Sequence, residues 1–365
     1  MSFTAEDHQF MARALILAKK GVYTTAPNPN VGCVLVRNGE IVGEGWHKKA
    51  GEAHAEINAL KQAGDKAEGA TAYVTLEPCC HQGKTPPCSD ALIKAKVKRV
   101  VAAMIDPHVK VAGKGLKQLE SAGIQVEQGL LEEQAKEINL GFIKRMQKRL
   151  PYVRCKLAMS LDGRTAMASG ESKWITSAAA REDVQRLRAK SSAILTGVGT
   201  VLADDPSMTV RLEGVDVQPI RVVVDTNLSM PVDAKMLKEK GRTVLMTCSS
   251  DEYVTGALKD TGADIHTMPY CNTSVDLSSV LQQLSDMQMN DVLLETGATL
   301  SGAMLQAGLI DELIIYMAPV LMGNDARGLF SLPGLETMQD KIELDIIDQR
   351  LVGQDIRITA KVKMH

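Results

Sequence analysis

Three thiols and one imidazole in the first quarter of the chain have the residue types of a zinc site. His54-Ala55-Glu56 is followed by TLEPCCHQGKTPPC, residues 75–88, which brings Cys79, Cys80 and Cys88 close to two proline-containing turns. A catalytic zinc ion takes about three nitrogen or thiolate ligands and leaves one position open to water. His54 with two of these cysteines supplies such a ligand set.

The spacing of the cysteines departs from the H-x-E and P-C-x-x-C signature of zinc deaminases. One turn after Cys79 the chain has Gln82 where that signature has a thiol, and the next cysteine after Cys80 is Cys88. Side chains of adjacent residues usually diverge too far to share one metal ion. We therefore predict that Cys79 and Cys88 join His54 as ligands, with Cys88 entering the site from the start of a helix.

The role of Glu56 distinguishes two possible kinds of zinc site. In a hydrolytic site zinc lowers the pKa of its bound water towards neutrality, and a carboxylate two residues from a ligand can take and return protons. We predict this role for Glu56, in an attack on an amidine-like carbon that expels ammonia. The alternative is a closed zinc site in an interaction protein, with Cys80 or His81 as fourth ligand and Glu56 on the surface. Closed sites favour shorter cysteine spacings, which argues against it.

Alternating strand and helix patterns must position these side chains. Thr4 precedes a run with helical apolar spacing, and Asn38-Gly39 separates two strand-like runs as in a β-hairpin. The remainder alternates strands with helices, which indicates an α/β layered fold. Residues 131–149 have the pattern of one long amphipathic helix, which ends before Pro151.

Length and composition set further limits. A chain of 365 residues exceeds one ordinary core, and the second half shows no repeat of the first, so we predict domains at 1–148 and 149–365. The net charge of −2 and 3% aromatic residues argue against a nucleic-acid partner. Without an apolar run of about 18 residues or a signal-peptide pattern, we expect no membrane span and a cytoplasmic location. We also expect a homo-oligomer.

Five stretches of the chain together resemble one enzyme family. APNPNVGCVLV, GEAHAEINAL, YVTLEPCCHQGKTPPC, KLAMSLDGRTA and SKWIT resemble the bifunctional riboflavin-biosynthesis deaminase–reductases, the RibD family. The resemblance implies an N-terminal three-layer cytidine-deaminase-like domain and a C-terminal dihydrofolate-reductase-like α/β domain. The long separation of the two cysteines is normal in that family. Matching positions make His54, Cys79 and Cys88 the ligands of one Zn²⁺ ion and Glu56 the proton shuttle.

The resemblance also implies the substrate of the first domain. This is 2,5-diamino-6-ribosylamino-4(3H)-pyrimidinone 5′-phosphate, a small pyrimidine ribosyl phosphate whose 2-amino group would be hydrolysed. Asn28, in the PNPNVG turn, is expected to hydrogen-bond it, as the matching Asn does in related deaminases. His47, His81 and Lys84 are candidate contacts to the ribose or to the phosphate, which carries about −1.5 to −2 charge. For each of these three the alternative is a solvated loop residue.

The second half, considered without the family, predicts only a nucleotide-binding module. It lacks the G-x-G-x-x-G fingerprint. However, LTGVGTVLADDP and ETGATLSGAML each place a glycine turn between a strand and a helix, where free backbone N–H groups can bind a phosphate. The alternative for each stretch is a tight turn that needs glycine for backbone reasons alone.

The resemblance makes this half a reductase that uses NADPH to convert a ribosyl group to ribityl. Matching positions place cofactor contacts at Ala158, Trp174, Thr200, Asp204, Gly297, Ala298, Thr299, Leu300, Ser301, Gly302 and Ala303. Substrate contacts fall at Ser172, Arg188, Met208, Arg211 and Glu295. Two arginines suit a phosphate clamp, because a guanidinium is always charged and binds such oxygens at two points.

Lys156 is the candidate catalytic cation of the reductase. Hydride must reach C1′ of an opened, imine-like sugar, so a nearby cation or acid would help the nitrogen to accept charge. Lys156 lies in the strand-like run RCKLAMS. Its alternative interpretation is a charge on an edge strand that keeps a sheet soluble. Asp162, in SLDG, is predicted to form a turn.

A nucleic-acid deaminase, such as a tRNA adenosine deaminase fused to a binding module, is the alternative from another class. It shares the H-x-E and P-C core, and residues 94–99 and 144–149 are basic. Acidic residues elsewhere cancel these charges, and basic runs on helices are usually solvated faces. The cysteine spacing and the SLDGRTA stretch also argue against it.

Overall fold

The structure, a computed structural model, describes residues 3–80, 86–108 and 111–363. The chain divides into two compact units, Met1–Leu150 and Pro151–His365. Two of the predicted substrate contacts, His81 and Lys84, lie outside the described residues. Within the described ranges, none of the helices combines the length and the apolar character that a bilayer crossing requires.

The first unit is built from six helices and five strands in its described residues. Its helices are α1 (Ala5–Ala18), α2 (Ala55–Ala63), α3 (Cys88–Lys94), α4 (Lys114–Ser121), α5 (Glu132–Ile138) and α6 (Leu140–Lys148). Its strands are β1 (Gly32–Arg37), β2 (Glu40–Trp46), β3 (Thr71–Val74), β4 (Arg99–Ala102) and β5 (Gln125–Gln128). The strands form one sheet in the order β2-β1-β3-β4-β5, antiparallel from β2 to β3 and parallel from β3 to β5.

Helices cover both faces of this sheet. On one face Ala59 of α2, Leu92 of α3 and Leu119 of α4 are buried together. On the other face Met11 of α1 and Ala135 of α5 belong to a second buried cluster. The unit is therefore a three-layer α/β/α sandwich, as predicted.

Two local sequence signals fold as predicted. Thr4 caps α1, since its hydroxyl accepts a hydrogen bond from the Asp7 backbone and the Asp7 carboxylate accepts one from the Thr4 backbone. Asn38 and Gly39 connect β1 to β2 with φ angles of 52° and 79°. Both angles lie in the left-handed region that such hairpin turns require.

The single long helix predicted over 131–149 is wrong. The chain forms α5 and α6, which are separated at Asn139, where φ is −125°. The buried Asn139 amide accepts a hydrogen bond from the Asn30 backbone N–H at 2.7 Å and donates one to the Asn30 carbonyl at 3.0 Å. The Nη2 atom of Arg145, on α6, donates to the Pro27 carbonyl at 3.1 Å. The broken helix thus holds the turn that contains Asn28.

The second unit has a larger mixed sheet. Its helices are α7 (Ala178–Lys190), α8 (Val198–Asp204), α9 (Lys235–Lys238), α10 (Glu252–Asp260), α11 (Leu277–Asp286) and α12 (Ala298–Gln306). The strands of its main sheet are β6 (Tyr152–Ser160), β8 (Ala193–Gly197), β9 (Ile220–Val224), β10 (Thr243–Thr247), β11 (Asp264–Thr267), β14 (Asp291–Leu294), β15 (Glu312–Ala318), β17 (Leu344–Val352) and β18 (Asp355–Val362). Two short ribbons pair β7 (Arg164–Ala166) with β16 (Arg327–Gly328) and β12 (Tyr270–Cys271) with β13 (Ser274–Val275).

Strand β6 lies in the middle of this sheet. The order is β11-β10-β9-β8-β14-β6-β15-β18-β17, and all neighbours are parallel except β15-β18 and β18-β17. Lys156 on β6 is aligned with Ile314 of β15, while the preceding Cys155 is aligned with Leu294 of β14. The interpretation of Lys156 as an edge-strand charge is therefore wrong. The adjacent strands β8 and β14 end at the same edge and lead into α8 and α12.

Asp162 forms the turn that follows β6, as predicted. Its carboxylate accepts a hydrogen bond from the Ser160 hydroxyl at 2.5 Å and from the backbone N–H groups of Met322 and Gly323. These hydrogen bonds lower the pKa of Asp162 to about 2. The ionised Asp162 carboxylate therefore has a structural role, because its hydrogen bonds hold the turn against the segment that contains Met322 and Gly323.

Candidate active sites

His54, Cys79 and Cys88 come together in the first unit. His54 is the N-cap residue of α2, Cys88 begins α3, and Cys79 lies beyond the end of β3. The Nδ1 atom of His54 is 3.3 Å from the Cys88 sulfur and 3.5 Å from the Cys79 sulfur. The three possible ligand atoms all lie within 4.8 Å of one another.

This separation fits a tetrahedral zinc ion. Zn–N and Zn–S bonds of about 2.05 and 2.3 Å at the tetrahedral angle place nitrogen and sulfur about 3.6 Å apart. The two nitrogen–sulfur distances of 3.3 and 3.5 Å are close to that value. Hydrogen bonds from Cys88 and His54 lower the pKa of the Cys79 thiol, which favours its thiolate form. Two sulfurs and one nitrogen leave a fourth position for a reactant.

Glu56 lies beside this cluster on the first turn of α2. Only 3% of the residue is exposed, so the interpretation of Glu56 as a surface residue is wrong. Burial, together with the nearby Cys79 sulfur, raises the pKa of the Glu56 carboxyl to about 7. A buried carboxyl next to the ligands can hold or release a proton near neutrality.

Cys80 is not part of the cluster. Among the described residues, the group of possible metal ligands contains His54, Cys79 and Cys88 alone. Cys80 is half-buried, and burial raises the pKa of its thiol. A closed site with Cys80 as fourth ligand is therefore wrong for this arrangement.

Asn28 and His47 form a hydrogen-bonded pair next to the cluster. The His47 Nδ1 atom lies 3.2 Å from the Ala53 carbonyl oxygen, which can only accept, so Nδ1 carries the proton. Burial lowers the pKa of His47, and the neutral ring then accepts at Nε2 from the Asn28 amide nitrogen at 3.0 Å. The His47 and His54 rings meet edge to face at 5.3 Å between centroids. Asn28 thus has a fixed amide orientation beside the candidate ligands.

In the second unit, Arg188 and Glu295 form a two-point ion pair near Lys156. Arg188 Nε lies 2.6 Å from Glu295 Oε1, and Arg188 Nη2 lies 3.0 Å from Oε2. Burial opposes the ionisation of Glu295, but Arg188 outweighs it and lowers the pKa of the carboxyl. Burial also lowers the pKa of Lys156, and the charge of Arg188 adds to this effect while Glu295 opposes it. Three predicted site residues therefore share one electrostatic environment.

Thr209 connects the two predicted phosphate-binding arginines. Its carbonyl accepts from Arg188 Nη1 at 3.0 Å, and its hydroxyl accepts from Arg211 Nη1 at 3.4 Å. Arg211 is exposed, whereas the preceding segment is buried, including Met208, which is only 4% exposed. Met208 has a φ of 48°, in the left-handed region. The structure thus leaves Arg211 as the more accessible guanidinium.

The two glycine turns lie at adjacent helix starts. Gly197 precedes α8 and Gly297 precedes α12, and neither helix has a side-chain N-cap hydrogen bond. The Gly197 N–H group donates a hydrogen bond to the Thr296 hydroxyl at 3.3 Å, and this bond joins the two turns. Gly297 and Thr299 are exposed at the start of α12. Uncapped N–H groups at such helix ends favour an anion.

Part of the predicted cofactor run is explained by packing. A Cβ atom at Gly302 would lie 2.0 Å from the Ser331 carbonyl oxygen, so this position requires glycine. Ser301 is fully buried, and its hydroxyl donates to the Gly297 carbonyl at 3.0 Å. Ala298, Leu300 and Ala303 are half-buried on α12. Contact of this run with a cofactor stays a prediction.

The other predicted contacts lie around Trp174. The Trp174 side chain is 71% exposed, and the Arg181 guanidinium lies 4.7 Å from its ring centroid. Lys173 Nζ lies 3.1 Å from Asp204 Oδ1, which connects this segment to the end of α8. Ser172, Thr200 and Ala158 are half-buried, the last of these on β6. Their roles also stay predictions.

Two family models match the two units. Residues 4–104 match the cytidine and deoxycytidylate deaminase zinc-binding region, and residues 151–357 match the RibD C-terminal domain. The riboflavin biosynthesis protein RibD of Escherichia coli K12 is 51% identical over 96% of this chain and 98% of its own length. That of Haemophilus influenzae is 50% identical over 100% of this chain and 99% of its own length. The chain belongs to the RibD family.

Solved structures of the RibD family agree in fold along nearly the whole chain. RibD of Acinetobacter baumannii superposes with a TM-score of 0.92 at 49% identity and covers 98% of this chain and 99% of its own. A deaminase/reductase from Thermotoga maritima, described as a diaminohydroxyphosphoribosylaminopyrimidine deaminase and 5-amino-6-(5-phosphoribosylamino)uracil reductase, gives 0.86 at 32% identity with the same coverage.

RibD membership confirms the predicted fold class and a bifunctional riboflavin-biosynthesis enzyme. The first unit is a cytidine-deaminase-like domain with a zinc-binding region, and the second is the RibD reductase domain in a mixed α/β sheet. A nucleic-acid deaminase fused to a binding module is not favoured, because the second half matches this RibD domain from residue 151 to residue 357.

Sequence reasoning missed several residues that position these RibD sites. Thr209 accepts hydrogen bonds from both predicted arginines, and Thr296 joins the two glycine turns. Glu77, Ser89 and Gln118 surround the cysteine segments. Glu77 had one signal in the sequence, since this acid stands between the strand-like run TAYVTL and Cys79. The structure shows that it is buried, which an unpaired acid would not tolerate.

Proposed function

We propose that the protein catalyses two successive reactions of riboflavin biosynthesis. The first unit hydrolyses the 2-amino group of 2,5-diamino-6-ribosylamino-4(3H)-pyrimidinone 5′-phosphate and releases ammonia. The second unit uses NADPH to reduce the ribosyl side chain of the product, 5-amino-6-(5-phosphoribosylamino)uracil, to ribityl. The observation that carries the proposal is the cluster of His54, Cys79 and Cys88 beside the buried Glu56, in a chain whose other half is a RibD reductase domain.

In the first unit three residues would hold zinc and a fourth would move protons. His54 Nδ1 and the sulfurs of Cys79 and Cys88 are the ligand atoms. When bound, the ion supplies Lewis acidity that makes water reactive at neutral pH. The Glu56 carboxyl takes a proton from the attacking water and gives it to the departing amino group. Asn28, oriented by His47, binds the pyrimidine and excludes other poses.

In the second unit the charged residues bind and polarise the opened sugar. NADPH supplies the hydride. The backbone N–H groups at the starts of α8 and α12 would hold its phosphates, and the exposed Trp174 would contribute to holding the cofactor. Lys156 stabilises the charge that develops on the sugar nitrogen. The negative charge of Glu295 attracts the lysine ammonium group and keeps it in this position. Arg211 binds the 5′-phosphate.

A two-readout assay tests the proposal. Zinc-loaded protein is given the diamino substrate with NADPH, and ammonia and nicotinamide absorbance are followed together. We expect ammonia release first and then the oxidation of one NADPH per ammonia. Ammonia without any loss of NADPH would refute the reductase assignment. No ammonia, with NADPH oxidised when the deaminated intermediate is supplied, would refute the deaminase assignment.

The predicted domain boundary, assembly and location are part of the same proposal. A fragment of residues 1–148 retains the cluster, Glu56 and the Asn139 contact that holds the Asn28 turn, so it should deaminate alone. We expect the intact protein to elute as a homo-oligomer and to be recovered from the cytoplasm.

A further inference from the structure

Glu77 is a buried carboxylate with an unusual set of partners. It is only 3% exposed, and its backbone N–H donates to the Met104 carbonyl at 2.9 Å. Four backbone N–H groups donate to its side chain. Those of Gly115 and Leu116 reach Oε1 at 2.9 and 3.4 Å, and those of Asp106 and Gly113 reach Oε2 at 3.1 and 2.9 Å. Each carboxylate oxygen of Glu77 thus accepts two hydrogen bonds from the main chain.

These donors belong mainly to the start of α4. The N-cap residue of α4 is Gly113, which provides no side-chain cap, so Glu77 satisfies the free N–H groups from another segment. Its negative charge also faces the positive end of the helix. The start of α4 packs closely against the Cys79 segment. A Cβ atom at Gly115 would lie 2.0 Å from the carbonyl oxygen of Pro78, the residue that precedes Cys79. The start of α4 and the Cys79 segment are therefore held as one body.

The same helix holds the segment that carries Cys88. Ser89, which is fully buried, donates from its backbone N–H to the Cys79 carbonyl at 3.1 Å, and its hydroxyl lies 2.8 Å from Gln118 Oε1 on α4. The Gln118 amide nitrogen donates to Asp90 Oδ1 at 2.6 Å. Helix α4 thus contacts both cysteine segments, one through Glu77 and the other through Gln118.

We infer that Glu77 is a positioning residue that, through α4, fixes the separation of the Cys79 and Cys88 sulfurs for zinc. The inference rests on the proposed zinc site and names a residue outside the ligand set and the reacting groups. Groups that orient metal ligands in this way change metal affinity about 10–100-fold when they are removed.

Glu77→Gln is the sharpest test, because it keeps size and shape. An amide accepts at its oxygen alone, so two of the four N–H groups would face an NH₂ group and α4 would move. Asp7→Asn is the matched control. Asp7 is equally buried in the same unit and is hydrogen-bonded to Thr4, Tyr73 and Arg99, on the other side of the sheet from α4.

Zinc affinity is measured by competition with a chromophoric chelator, and the visible spectrum of the cobalt(II)-loaded protein reports the ligand geometry. We expect Glu77→Gln to raise the zinc dissociation constant about 10–100-fold and to shift the cobalt bands, while Asp7→Asn changes neither. NADPH oxidation with the deaminated intermediate should be unchanged in both. Equal zinc affinity and identical cobalt spectra in Glu77→Gln and wild type would overturn the inference.

A second variant keeps the inference falsifiable if Glu77→Gln does not fold. Gln118→Ala removes a half-exposed side chain of α4 without opening the core, and we expect it to weaken zinc binding about tenfold. An unchanged affinity in this variant would then overturn the role of α4. Wild-type protein that binds no zinc would instead refute the proposed zinc site, which separates the two failures.

Discussion

The Arg188 guanidinium and the Glu295 carboxylate meet at two points, at 2.6 and 3.0 Å, with only 13% and 10% of their side chains exposed. The remaining Nη1 group of Arg188 donates to the Thr209 carbonyl. Each of the three guanidinium nitrogens of Arg188 therefore already has a hydrogen-bond partner within the protein. We therefore propose that Arg188 holds Glu295 in place and that Arg211 binds the phosphate.

Removal of Arg188 should destabilise the second unit strongly. Arg188→Ala leaves the Glu295 charge buried without its partner, and we expect the free energy of unfolding to fall by about 3–5 kcal/mol. Arg186→Ala is the matched control on the same helix, since Arg186 forms an exposed pair with Glu182 and its loss should change the free energy by less than about 1 kcal/mol. Urea unfolding, monitored through hydrogen exchange of the α7 amides, measures the free energy of unfolding of both variants. Equal losses in the two variants would contradict this assignment.

Removal of Arg211 should affect phosphate binding and leave stability unchanged. Arg211 is exposed and hydrogen-bonds only weakly to Thr209 at 3.4 Å. We expect Arg211→Ala to raise the KM for the deaminated intermediate about 10–100-fold, as the loss of a charged hydrogen bond would. The intermediate without its phosphate is the control, because wild type and variant should then have the same KM. A persistent difference would place Arg211 elsewhere on the substrate.

Glu56→Gln should separate the two activities of one chain. The amide keeps the volume of the carboxylate but cannot carry a proton, so we expect ammonia release to fall by about 10²–10⁴-fold. Zinc content and NADPH oxidation with the deaminated intermediate should stay at the wild-type level. Glu68→Gln is the control, since Glu68 forms an exposed pair with Lys96. Wild-type ammonia release by the Glu56 variant would remove this residue from the mechanism.

The candidate zinc ligands could be predicted from the sequence because their residue types follow the H-x-E and P-C pattern of zinc deaminases. His54 and Glu56 are two residues apart at a helix start, and the helix after two prolines carries Cys88 into the site. The break at Asn139 could not be predicted, because its partner Asn30 is 109 residues away. The four N–H partners of Glu77 are also distant in sequence, at separations of 29 to 39 residues.

The central place of β6 was hidden for the same reason. Its neighbours β14 and β15 lie more than 100 residues further along the chain, and no local pattern states the order of strands in a sheet. The apolar and charged alternation around Lys156 is compatible with an edge strand and with a central one. Only the pairing shows that the Lys156 side chain emerges from the middle of the sheet, near Glu295 and Arg188.

Lys156→Met should slow reduction strongly and leave deamination unchanged. Methionine keeps most of the length of the lysine side chain and removes its charge, so the sugar nitrogen loses its stabilising cation. We expect kcat for NADPH oxidation to fall about 10²–10³-fold, the usual effect of losing one electrostatic group. Lys341→Met, at an exposed lysine paired with Glu343, is the control and should behave as wild type. A normal kcat in the Lys156 variant would show that the cation is dispensable.

Asp7 should make the first unit sensitive to acid. Burial opposes ionisation of Asp7, but hydrogen bonds from Arg99, Thr4 and Tyr73 outweigh it and hold the pKa of the carboxyl well below its usual value. A depressed pKa of this kind contributes stability that is complete above the unfolded-state pKa of about 4 and is lost as the pH falls further. Asp7→Asn should therefore lower the free energy of unfolding at pH 7 by about 1.5–3 kcal/mol and flatten its decline below pH 4. Urea unfolding at several pH values, followed by hydrogen exchange of α1, measures this. An unchanged slope in the variant would assign the acid sensitivity to other carboxylates.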